Sequence, residues 1–226
     1  VVYHGQAVAA VSAASPDLAE RALEAIKVDY EPLPPVLDVV AAMSEESVLV
    51  DEENYTNLPE KPENPSNLAN IARFERGDLE AGFAQADFVI EREYKIPMVH
   101  QGYIEPHACV ANIDETGKGT VWCCTQGHFE FRTAVAGLLK KNVSDITFVP
   151  SEIGGGFGGK LVAYLEPLAV LLSEKAGRPV KMAMSREDVF RATGPTSGTV
   201  IRIKLGMKND GTIAAAHSWM AYEAGA

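Results

Sequence analysis

The stretch SEIGGGFGGK, residues 151–160, places five of the chain's 19 glycines within six positions. An apolar run at 146–149 precedes it and reads as a strand. Residues 161–175 follow and read as a helix, ended by Gly177. Strand, glycines and helix start together present several backbone N–H groups to an anion. Glycine suits such a loop because it reaches positive φ and lets a ligand approach the backbone without a Cβ in the way. The pattern Gly154-x-x-x-x-Gly159-Lys160 meets most of the nucleotide P-loop signature. The hydroxyl that would hold magnesium is missing, because the next residue is Leu161. Glycine-rich turns can also serve tight packing with no ligand at all. From the residues alone, an anion cradle of another kind, a nucleotide loop and a packing turn all stay open.

Outward from the loop, the chain alternates strands and helices. Strands are expected at 88–96, 108–113, 120–125, 180–184, 199–205 and 213–220, with helices at 78–85 and 130–140. Asp114-Glu115-Thr116-Gly117 and Asn209-Asp210-Gly211 read as hairpin turns. Near the start, 7–14 and 27–30 read as strands flanking a helix that Ser15 caps and Pro16 begins, a unit of βαβ size. Residues 41–70, rich in Glu, Asn and Pro, read as a solvated linker. The opening Val1-Val2-Tyr3 reads as mid-strand, as in a piece of a longer chain.

Composition narrows the function classes. The 226 residues carry a net charge of -11, and residues 1–100 hold 19 acids against 7 bases. That balance argues against a nucleic-acid partner. No apolar run approaches the length of a membrane span, and no signal peptide is evident. Cys109, Cys123 and Cys124 lack metal-ligand spacing and read as small core residues in a reducing, cytoplasmic setting. Glu105 and His107 in IEPHA read as a structural carboxylate and a satisfied histidine rather than an acid/base pair, because Pro106 breaks the strand between them.

Several segments share a pattern with one family. GGGFGGK resembles the molybdopterin-binding loop of the xanthine dehydrogenase and aldehyde oxidase family, the molybdenum hydroxylases. YHGQAVAAVSA and AIKVDYEPLPPVLD resemble the end of its α/β hammerhead domain. RGDLEAGFAQADFVIEREY, HQGYIEPHACVA, TQGHFEFRTAVAGLL and GRPVKMAMSREDVF resemble successive parts of its molybdopterin-binding domain. The resemblance implies an α+β fold. Residues 1–40 would end a hammerhead domain, 41–70 would link, and 71–226 would begin a molybdopterin-binding domain of mixed sheets and packed helices.

It further implies a molybdenum–molybdopterin cofactor, the cytosine dinucleotide being one form, and hydroxylation of an aldehyde or N-heteroaromatic carbon with oxygen from water. Electrons would pass to iron–sulfur clusters and FAD on partner subunits or domains. The remaining molybdopterin-binding portion would complete the site. The resemblance places Gln126 in hydrogen-bond reach of an oxo ligand of molybdenum, without ligating the metal itself. Gly155, Gly156, Phe157 and Gly158 would lie against the cofactor, and Phe157 and Leu161 would line the substrate pocket. It assigns no catalytic residue to this stretch, since the family's catalytic glutamate would fall beyond residue 226. Purine-oxidising members carry a glutamate where Leu161 stands and an arginine near Thr196, which argues against a purine substrate. A P-loop-like nucleotide binder and a non-catalytic domain are the alternatives.

Overall fold

The computed structural model describes residues 1–50 and 64–224. Two sheets organise the chain. The first is antiparallel, with strands β1 (Phe88–Ile96), β6 (Thr199–Met207) and β7 (Ile213–Tyr222) in the order β1-β6-β7. The second has the order β4-β3-β2-β5, built from β2 (Ala108–Ile113), β3 (Gly119–Cys123), β4 (Ile146–Pro150) and β5 (Val180–Ala183). Its β3–β4 pair is parallel and its other pairs are antiparallel. This mixture is the α+β class expected from the sequence.

Strand alternation sends Cys109, Ala111 and Ile113 of β2, Val121 and Cys123 of β3, and Ile146 and Phe148 of β4 to one face of the second sheet. Helix α4 (His128–Leu138) covers that face with Phe131 and Val135, and α5 (Glu166–Ala176) covers it with Ala169 and Val170. Each large apolar side chain buried here contributes about 2 kcal/mol of transfer free energy. All three cysteines are free and buried. Burial raises the Cys123 thiol to about 12, with the Glu166 and Cys124 charges adding to the effect.

Local chemistry sets most helix starts. Ser15 caps α1 (Pro16–Glu24), Asp38 caps α2 (Val39–Ala42) and Asp78 caps α3 (Leu79–Ala84), each accepting backbone N–H groups. Helix α6 (Arg186–Ala192) carries a capping box between Ser185 and Asp188. That Ser-x-x-Asp signal is present in the sequence, yet the only element expected in this segment is the strand at 180–184.

Three expectations are corrected. Residues 7–14 and 27–30 form no strand, because neither finds a neighbour to complete a hydrogen-bonded ladder among the described residues. The parallel strand–helix–strand unit sits instead at β3–α4–β4. Finally, the helix after the glycine loop begins at Glu166 rather than at residue 161, since Pro167 fixes its first turn. Part of the segment read as a linker, residues 51–63, lies outside the described residues. Around it, Asn67 accepts the Val50 N–H and donates to the Ala42 and Val48 carbonyls, tying the described flanks together. No helix among the described residues is long and apolar enough to cross a membrane.

Candidate functional site

Topology gathers the site. β3 and β4 run parallel, so the segments leaving their C-terminal ends emerge side by side, where open α/β sheets bind ligands. Thr125-Gln126 leaves β3 and the glycine loop leaves β4. The Ser151 N–H donates to the Cys123 carbonyl (3.0 Å), extending the pairing past the strands. Antiparallel β2 starts at this same end, so residues 100–107 lie beneath the loop.

Gln126 is the hub. Its backbone N–H donates to the Lys160 carbonyl at 3.0 Å. Its side-chain Oε1 accepts the N–H groups of Gly158 and Lys160, both at 3.1 Å. The carboxamide is thereby held in one orientation, and Nε2 keeps its donor hydrogens free of protein partners among the described residues. The residue is exposed, so that donor faces outward.

The loop geometry explains its composition at two positions. A Cβ on Gly156 would collide with the Gln126 carboxamide, so a larger residue there must displace that side chain. The Gly159 N–H donates to the Gly156 carbonyl (2.8 Å), closing a turn over Phe157 and Gly158, whose φ values are 50° and 90°. Two positive φ angles in sequence match a type I′ turn. Gly158 tolerates this freely, and a Cβ there would meet nothing within 4 Å. Phe157 adopts it at a cost and leaves its side chain 75% exposed, a strained and solvent-facing aromatic. Gly155 also has positive φ and sits against the Phe157 ring.

Lys160 points the other way. Its side chain is buried and its ammonium pairs with Glu105 Oε2, lying 5.2 Å from the centre of the Tyr103 ring. Burial alone would raise the Glu105 carboxyl. The Lys160 ammonium and the Gly154 N–H outweigh it and hold the group below the usual carboxylate range. The nucleotide-loop reading fails here on three counts: the lysine is turned inward, Leu161 offers no hydroxyl, and no helix starts at the loop's end.

Beneath the loop runs a buried polar chain. The Gly102 N–H donates to His100 Nδ1 (3.0 Å), so His100 Nε2 carries the proton and donates to Thr193 Oγ1 (2.9 Å). The Thr193 hydroxyl donates to the Val189 carbonyl (2.7 Å). Tyr103 OH then donates to Thr193 Oγ1 (3.2 Å) and accepts from His107 Nε2–H (2.7 Å). Burial, reinforced by the Lys160 charge, lowers His107 to about 4. Glu105 and His107 therefore bond in different directions, as structural groups do.

Leu161 is exposed and lines an open apolar cleft of about 250 Å³ with Glu130, Ala134, Leu138, Val162 and Pro167. Phe157 does not line that cleft. The loop and Leu161 are contiguous along the chain, Gln126 is hydrogen-bonded to the loop, and Phe157 lies outside the cleft that Leu161 lines. No group of three or more His, Cys, Asp or Glu side chains that could hold a metal occurs among the described residues. Sequence reasoning passed over Tyr103 and Arg186, which organise the loop's floor. Their roles depend on contacts across more than 80 residues, which no local motif reports.

Comparison with known proteins supplies the family. The model described as the molybdopterin cofactor-binding domain matches residues 60–226. The chain is 32% identical over 223 residues to the nicotinate dehydrogenase large molybdopterin subunit of Eubacterium barkeri, covering 99% of this chain and 50% of that one. It is 31% identical over 220 residues to the carbon monoxide dehydrogenase large chain of Afipia carboxidovorans, covering 95% and 27%. The structure of quinoline 2-oxidoreductase from Pseudomonas putida 86 superposes with a TM-score of 0.77 at 26% identity, covering 92% of this chain and 25% of that chain. The chain thus spans half the length of the first of these relatives and about a quarter of the other two.

Proposed function

The chain belongs to the molybdopterin cofactor-binding domain family, and from that premise we propose that Gln126, Gly155, Gly156, Phe157 and Gly158 hold a molybdenum–molybdopterin cofactor in an oxidoreductase that hydroxylates small molecules. The observation that carries this reading is the Gln126 carboxamide. Its oxygen is fixed by two backbone N–H groups and its Nε2 is left exposed as a donor. A neutral amide can donate to an oxo group without adding charge or competing as an anionic ligand. The residues present fit the group: an outward amide donor, a loop that a Cβ at Gly156 would obstruct, and an open backbone at Gly158.

When bound, that cofactor supplies two-electron oxidation with water as the oxygen source. This chain's residues bind and orient. Gln126 would present its donor to the cofactor, the loop backbone at Gly155, Gly156 and Gly158 would hold the pterin, and the Phe157 ring, exposed in this structure, would wall the substrate side. Leu161 offers only apolar contact, which favours an aldehyde or an N-heteroaromatic ring over a purine that needs polar recognition. No residue of this chain is assigned as the catalytic base. That group, the remaining molybdopterin-binding portion, the iron–sulfur clusters and the FAD are assigned to the rest of the assembly, the cytosine dinucleotide being one form the cofactor can take. The names of the relatives, a large molybdopterin subunit and a dehydrogenase large chain, support a multisubunit setting. Three free, buried cysteines support a cytoplasmic one.

The test is turnover of an aldehyde and N-heteroaromatic panel by the assembled protein in heavy-oxygen water. Label in the hydroxylated product is expected, and its loss with Gln126→Ala. Product oxygen drawn from dioxygen, or turnover untouched by Gln126→Ala, would contradict the reading.

A further inference from the structure

Both ends of the glycine loop converge on one atom. Glu105 Oε2 accepts the Gly154 N–H (2.8 Å) at the loop's start and receives the Lys160 ammonium at its end. The Glu105 N–H also donates to the Gly154 carbonyl (3.3 Å), so that end is held twice. The Lys160 side chain is 0% exposed and that of Glu105 is 34% exposed. The ammonium is therefore spent on the strap and is not presented to a ligand.

The platform under the strap is itself fastened. The Arg186 guanidinium, in the first turn of α6, donates to the Tyr103 carbonyl (2.9 Å) and to the Ile104 carbonyl. That pins the backbone from which Glu105 projects. The Tyr103 ring lies directly under the loop, where a Cβ on Gly159 would stand 2.6 Å from its Cε1. Burying a lysine is costly, and an apolar side chain of similar size would stabilise the fold as well or better. What an apolar pair could not do is draw residues 154 and 160 onto a single point.

We propose that Glu105 is a positioning residue for the cofactor site. By closing residues 154–160 on one carboxylate oxygen, it holds the Gly158 and Lys160 N–H groups on Gln126 Oε1 and so aims the Gln126 amide. This rests on the cofactor reading above. Glu105 touches neither reacting atoms nor cofactor in this scheme and acts through Gln126.

The experiment uses the assembled holoprotein and compares wild type with Glu105→Asp and with the double variant Glu105→Gln/Lys160→Met, which leaves no unpaired buried charge. Three quantities are read: thermal midpoint, hydrogen exchange of amides 154–160 after cofactor removal, and pterin retained after gel filtration. The double variant is expected to keep a midpoint close to wild type while its loop amides exchange about tenfold faster or more and pterin is lost. Glu105→Asp, which keeps the charge but is one methylene short, is expected to loosen the loop in the same way. Unchanged exchange and unchanged pterin retention in either folded variant would reduce the pair to a structural salt bridge and overturn the inference. Wild-type protein that never holds pterin would instead sink the cofactor reading, while the exchange data would still decide whether Glu105 orders the loop.

Discussion

Gly156 and Phe157 are neighbours with opposite relations to the fold, and substitutions there should separate binding from stability. A methyl group at Gly156 must displace the Gln126 carboxamide. Gly156→Ala should therefore cost cofactor content while leaving the buried core, and so the thermal midpoint, nearly intact. Phe157 holds φ at 50° and buries little of its ring. Phe157→Gly should stabilise the chain by up to ~1 kcal/mol through relief of left-handed strain, measured by urea unfolding. Phe157→Ala should change substrate affinity more than folding, and unchanged kinetics would remove the ring from the substrate wall. The glycines were legible in sequence because so many in one place require a backbone reason. Which glycine abuts which side chain was not, since Gln126 and Tyr103 reach the loop from 28 and more residues away.

Among the elements, the strands that pair within the chain were read almost to the residue, because β2 and β4 are short apolar runs bounded by turn residues. The misread ones, at 7–14 and 27–30, have strand-like composition and no ladder partner among the described residues; composition cannot report pairing. The start of α5 was misplaced because the apolar run from Leu161 hides the decisive residue, Pro167. Glu166, in the first turn of that helix, is buried with Oε2 lacking a partner among the described residues, and desolvation raises its carboxyl. The segment that leads into β2 makes stability depend on pH through His107. Its folded value is about 4 against an ordinary 6.5, and Lys160, His100 and Glu105 are the titratable groups that face it. The unfolded chain takes up a proton as pH falls through 6.5, while the folded chain resists until about 4. Stability is thus full above that window and falls across it, by about 3 kcal/mol from this group. Urea midpoints measured across that range should show the loss, and His107→Gln should flatten it. An undiminished slope in the variant would assign the effect to other groups.

Over the whole molecule, one sheet end does the organising. Parallel β3 and β4 deliver Gln126 and the glycine loop together, β2 enters there with Glu105 and His107, and β5 leads to the Arg186 that secures the floor. The motifs were legible one by one in the sequence. Their meeting was not, because it depends on a parallel pairing between strands separated by a helix. The acidic balance of residues 1–100 falls outside this sheet end, which the second half of the chain builds. The central claim is that this sheet end holds a molybdenum–pterin group. It is tested most directly by quantifying molybdenum and pterin in the assembled protein, purified from cells supplied with molybdate. The account expects both, in equal amounts and stoichiometric with the chain. Folded, fully assembled protein carrying neither would contradict it.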